Sequence, residues 1–225
     1  MFLSNVSLNL IQFLIYVGAF SFGFLNFFKK KCPLYFKLIL LGCGCFLLQE
    51  VYYLSYYLCV GEWANGFSFA SFGSGGCYAF LLSANFGQFD GIVDDRSGSS
   101  KNARTVAFLA PIALFIIFII PSVKYVKSAL GLTYPLLILL SKFPAFFACY
   151  FHLKHLILED ALDFLIKPLR GYNFFALLLI FSDFMLYLFS IYNIDFMVRV
   201  MEWLIPIALL LMMIYSNKGY KEWKI

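Results

Sequence analysis

Apolar residues fall along this chain in seven long blocks, separated by shorter stretches where Lys, Asp, Gly or Ser gather. A run of about 20 apolar residues is what an α-helix needs to cross the hydrocarbon core of a bilayer. The blocks predict helices at roughly 6–28, 35–59, 66–88, 104–121, 130–151, 172–192 and 196–215. They are uniformly apolar and do not alternate, so they do not fit barrel strands. Only helices and closed barrels satisfy their backbone groups in lipid. The expected fold class is all-α: a polytopic membrane protein whose residues 1–225 form one seven-transmembrane-helix domain. The longest connections, near 89–103 and 152–171, leave no room for a large soluble domain.

Composition points the same way. Residues are 63% hydrophobic and only 13% charged, against about 25% charged in soluble domains. Six cysteines (Cys32, Cys43, Cys45, Cys59, Cys77 and Cys149) sit mostly inside apolar runs. Their spacing matches no zinc or disulfide framework, so they read as small hydrophobes. The first twenty residues lack a basic start and read as a retained helix, not a cleaved signal peptide.

Charge adds an orientation. Lys29, Lys30, Lys31, Lys37, Arg96, Lys101, Arg104, Lys154, Lys167, Arg170, Lys218, Lys221 and Lys224 all fall on one side of the expected topology. The other side has only Lys124 and Lys127. Cytoplasmic loops carry the excess of Lys and Arg. The expectation is a multi-pass protein of the cell (inner or plasma) membrane, N-terminus outside and C-terminus cytoplasmic.

A few charges interrupt the helices. Glu50 lies beside Gln49 in LLQEVYY, Lys142 beside Ser141 in LLSKFPA, and Asp183 in IFSDFML. Arg199 and Glu202 lie three apart near the outer end of the last helix. An ionisable group in lipid costs at least about 2.5 kcal/mol at a helix centre, so it usually faces the bundle interior. Lys142 has a partner available in Glu50 or Asp183, and Arg199 in Glu202. Either these charges neutralise one another and fix helix register, or they line a polar cavity open to the outside. On the second reading Gln49, Glu50, Ser141, Lys142, Asp183, Arg199 and Glu202 bind a small polar ligand. Pro135 and Pro144 flank the level of Lys142 and are expected to kink its helix. The lysine is in the fifth helix and the seventh has none in its apolar run, which excludes a retinal protein.

Other motifs carry less. DGIVDDRSG lacks the later aspartates of membrane enzymes that transfer CDP-alcohols. As a calcium loop it fails too, since Lys101 stands twelfth from Asp90 where Glu belongs. Asp90, Asp94, Asp95 and Arg96, with Lys167 and Arg170, read instead as a cytoplasmic docking surface. In FGSGG, at 72–76, the small residues suit close helix packing. In ACYFHLKHLILEDALDF, residues 148–164, one helical face carries Cys149, His152, His155, Glu159 and Asp163. His152, His155, Glu159 and Asp163 form a candidate metal set. The plainer expectation is an amphipathic cytoplasmic extension, polar toward water, with no metal and no cofactor.

The third to sixth helices, through LLSANFGQFDGIVDD, the KNAR entry to the fourth and KPLRGYN at the sixth, are similar to uncharacterised small seven-helix bacterial inner-membrane proteins. The resemblance implies a receptor- or sensor-module-like topology. KCPLYF before the second helix and KPLRGY before the sixth give an internal echo that resembles the 3+1+3 layout of SWEET-type sugar carriers. The expected function is a membrane sensor or receptor-like module. It would bind a small ligand in the cavity and relay to a cytoplasmic partner. The alternatives are a small transporter of a polar solute and, third, an intramembrane enzyme. Expected partners are membrane lipid, the unidentified ligand, and a cytoplasmic protein or a second copy of the chain; nucleic acid is not expected.

Overall fold

A computed structural model of the protein describes residues 2–29, 31–62, 68–86, 98–126, 133–157 and 167–222. Among these residues every regular element is a helix. The helices are α1 (Phe2–Phe27), α2 (Leu34–Val60), α3 (Ser71–Ala84), α4 (Gly98–Ala107), α5 (Leu109–Val126), α6 (Thr133–Ile157), α7 (Lys167–Ile191) and α8 (Asp195–Glu222). Only Phe108 separates α4 from α5, so they form one interrupted rod. Five helices (α1, α2, α6, α7 and α8) are long and apolar enough to cross a membrane. The two other expected spans appear as shorter helices, α3 with 14 residues and α5 with 18.

The departures from expectation have local causes. Pro111 has no N–H for the carbonyl of Ala107, and its ring crowds that carbonyl, which places the break at Phe108. The bonds flanking the break are long, 3.3 Å from the Phe108 amide to Arg104 and 3.4 Å from the Ile112 amide to Phe108. Residues 98–103, expected as loop, belong to α4. Pro135 falls in the first turn of α6, where no helical bond is lost, and Pro144 is the interior one. α6 runs on to Ile157, α7 begins already at Lys167, and α8 continues two turns past residue 215.

Turns close where their residues allow. α2 ends on Gly61 at φ 82, the left-handed cap that glycine adopts without strain. The α7–α8 turn puts Asn193 in the same region, φ 52, and the Ile194 amide reaches back to the Phe189 carbonyl at 3.1 Å. This cap folds α8 tightly back along α7.

Helix contacts run α1–α2–α3–α6–α7–α8 and back to α1, a closed ring of six helices. α5 packs outside it, against α6 and α7. The outer surface exposes large apolar side chains such as Leu25, Leu48, Leu58, Leu140 and Phe196, which is compatible with contact with lipid. Inside the ring, small residues bring backbones together. A Cβ at Gly75 would collide with the backbone carbonyl of Ser141, so α3 and α6 touch main chain to main chain.

Candidate functional site

Each of the six ring helices turns one face toward a common cavity of about 650 Å³. α1 contributes Asn9, Gln12, Phe13 and Tyr16, spaced as one helical face. α2 repeats that spacing with Phe46, Gln49, Glu50 and Tyr53. α3 adds Ser71 and Ser74, and α6 adds Ile138, Ser141 and Lys142. α7 gives Asp183, Leu186, Tyr187 and Ser190, and α8 gives Asp195, Val198, Arg199, Glu202 and Ile205. All seven residues expected to face a cavity therefore line this one.

The cavity has a mouth and a floor. Ser71, Ser190 and Asp195 belong to the helix ends at the N-terminal end of α1. Glu50, Lys142 and Asp183 lie ten, nine and eight residues from the same ends of α2, α6 and α7. At 1.5 Å per residue that is about 12–15 Å down, half the thickness of a hydrocarbon core. The floor is aromatic. Tyr16 stacks on Phe46 with centroids 6.3 Å apart, and Phe46 meets Tyr78 edge-on at 6.0 Å. Beneath them Cys43, Cys77, Leu81, Ile180, Phe184, Leu209 and Met212 are fully or almost fully buried, a packed layer that closes the bundle.

The charges divide unequally. Lys142 pairs with Asp183, not with Glu50, through Asp183 Oδ2. The Tyr78 hydroxyl donates to the same oxygen at 2.7 Å. This carboxylate is thereby neutralised and held from two neighbouring helices. Gln49 is also fixed, its Oε1 accepting the Ser74 amide at 2.9 Å. Glu50 is different: no described residue gives it a hydrogen bond or a salt bridge. Glu202 lines the same cavity as a second carboxylate. Among the described residues, Glu50, Asp183, Asp195 and Glu202 face only Lys142 and Arg199 around the cavity, an excess of two negative charges with every group ionised.

The opposite end of the bundle holds a second polar layer. His152, Asn85 and Asn173 are 0%, 0% and 3% exposed. His152 Nδ1 stands 2.8 Å from Asn173 Oδ1, and Asn85 Nδ2 stands 3.1 Å from Nδ1 and 3.3 Å from Nε2. With Nδ1 protonated and donating to Asn173, Nε2 is the ring nitrogen left to accept from the Asn85 amide. The Tyr35 hydroxyl reaches Asn85 Oδ1 at 3.5 Å, and the Tyr172 ring packs edge-on against the imidazole. This corrects the amphipathic reading of 148–164. Through Ile157 its polar face is turned into the bundle, with His155 and Lys154 also buried. Lys154 sits over the Phe151 ring at 5.9 Å. The reason is the partners on α3 and α7, which a helical wheel of α6 does not contain.

The remaining candidates scatter. Glu159 and Asp163 lie outside the described residues, as do Asp90, Asp94, Asp95 and Arg96. Among the described residues no three His, Cys, Asp or Glu side chains gather as a metal site needs. Lys167 and Arg170 stand in the first turn of α7, not in a loop. Sequence reasoning missed Asn9, Gln12, Tyr16, Tyr53 and Asp195. The signal was present for α1, whose polar residues recur at the spacing of a single face.

No protein-family model, curated protein or solved structure matches this chain.

Proposed function

We propose that this chain is a receptor-like membrane module that binds a small polar ligand in the ring cavity and passes occupancy to the other end of the bundle. One observation carries the reading: a cavity of about 650 Å³ reaches mid-bundle depth and stops on a packed aromatic floor. Ligand pockets of small molecules have about this volume. The floor favours binding and signalling over passage. With the Lys- and Arg-rich helix ends cytoplasmic, the mouth opens outward.

The relay is built into two helices. α6 carries Lys142 at the cavity and His152 in the second layer, ten residues on. α7 carries Asp183 and Asn173, also ten apart. Both contacts join the same helix pair. A ligand that shifts α6 against α7 at the first contact shifts them at the second, about 15 Å away. A cytoplasmic partner, or a second copy of the chain, would read that end.

Transport is the second reading, favoured by the ring itself. Its order places α1–α2–α3 opposite α6–α7–α8, with α5 outside. The test is a thermal-unfolding screen of the protein in nanodiscs against small polar compounds. Each compound that stabilises it is then offered to proteoliposomes. Stabilisation without uptake supports the receptor reading, uptake supports transport, and no stabilisation by any compound removes both.

A further inference from the structure

The two halves of the ring repeat a cavity-facing pattern. Glu50 and Asp183 stand ten and eight residues before the cavity-mouth ends of α2 and α7. The match continues along the cavity face. Three and four residues later come Tyr53 and Leu54 on α2, and Leu186 and Tyr187 on α7, all four lining the cavity. Lys142 precedes Asp183 by 41 residues. The residue 41 before Glu50 is Asn9, which lines the cavity from α1. The second half thus carries an acid with its ammonium partner. The first half carries the acid without such a partner, and α1 brings the neutral amide of Asn9 to the same cavity.

From this asymmetry we infer that the cavity binds a small organic cation, whose ammonium group sits at Glu50 as the Lys142 ammonium sits at Asp183. The inference deepens the ligand-binding reading and rests on it. Three further features fit. Among the described residues Glu50 has no hydrogen-bond or salt-bridge partner, and Glu202 adds a second carboxylate to the same cavity. Phe13, Tyr16, Phe46, Tyr53 and Tyr187 put five aromatic rings on the walls and floor, and aromatic faces attract ammonium groups. The volume suits a molecule of several heavy atoms better than a bare metal ion, for which no three carboxylate, imidazole or thiol groups gather closely enough among the described residues.

The test uses the full chain in nanodiscs and three four-carbon probes of one shape: 1,4-diaminobutane, 1,4-butanediol and succinate. Binding is read by the thermal midpoint and by saturation transfer to the probe protons. Diaminobutane is expected to bind selectively, and Glu50→Gln to weaken it at least tenfold. Asn9→Lys supplies a tethered ammonium within the same cavity and is expected to abolish diaminobutane binding while the protein stays folded. This variant decides the matter if Glu50→Gln does not fold. The inference is overturned by diaminobutane failing to bind at 100 mM, by equal binding of the diol, or by unchanged diaminobutane binding in either variant. Binding of the diol or succinate alone would sink the cation and leave the ligand cavity standing. Failure of all three probes and of the wider screen would sink both.

Discussion

Lys142 and Asp183 meet across the α6–α7 interface at mid-bundle depth, and Tyr78 donates to the same carboxylate oxygen from α3 at 2.7 Å. Their side chains are only 12% and 8% exposed. An ion pair so placed contributes little net stability, because desolvation offsets attraction, yet losing one partner strands a charge. The expectation is therefore strong coupling. Lys142→Met and Asp183→Asn should each lower stability by about 3 kcal/mol, and the double variant should recover much of that loss. Tyr78→Phe should cost about 1 kcal/mol. A double-mutant cycle read by thermal or denaturant unfolding in nanodiscs measures the coupling; simple additivity would refute the pairing.

The α3–α6 contact gives a sharper steric prediction. A methyl group at Gly75 would overlap the Ser141 carbonyl, which cannot swing away as a side-chain tip can. Gly75→Ala should force the two helices apart and disturb Ser141 and Lys142 beside it. A loss of about 2–4 kcal/mol is expected, on the scale of overpacked cores. Gly18→Ala is the control, since nothing lies within 4 Å of its added Cβ. Unfolding midpoints of the two variants should separate clearly, with Gly18→Ala unchanged or slightly stabilised by helix propensity.

How much of this could be read from the sequence depends on how far apart the cooperating residues are. Helix existence is a property of contiguous apolar runs, and all seven expected segments carry helix in the described residues. Isolated charges such as Glu50 and Asp183 announce themselves because lipid makes them expensive. That they face one cavity follows from the same cost. What no single segment contains is the pairing: Lys142 chooses Asp183 over Glu50 because α6 neighbours α7 in the ring and has no comparable contact with α2. His152 was misplaced for that reason. Its partners stand 67 residues before and 21 after it, and without them a polar helical face reads as wet. The break at Phe108 was legible in principle, since Pro111 cannot donate to Ala107.

The second polar layer predicts a chemical silence as well as a structural cost. His152→Leu would leave the Asn85 amide and the Asn173 carbonyl without partners in a buried site, at about 1–3 kcal/mol each. The imidazole is already engaged by two asparagines, so its stabilising role does not call for an ion. A chelator such as EDTA is expected to leave the unfolding midpoint of the wild-type protein unchanged, while His152→Leu lowers it. A midpoint that falls with EDTA and recovers with zinc would contradict this assignment.

Orientation can be tested with a residue the chain already has. Cys59 is exposed one residue from the end of α2, at the cavity-mouth end of the bundle. Cys32, Cys43, Cys77 and Cys149 are buried and Cys45 is half-buried. If the Lys- and Arg-rich ends are cytoplasmic, Cys59 faces outward. A membrane-impermeant maleimide should then label intact cells at Cys59, and Cys59→Ser should remove the label. A fluorescent-protein fusion after Ile225 should remain cytoplasmic and fluorescent. Labelling that appears only after the membrane is permeabilised would reverse the orientation, and with it the side from which a ligand enters the cavity.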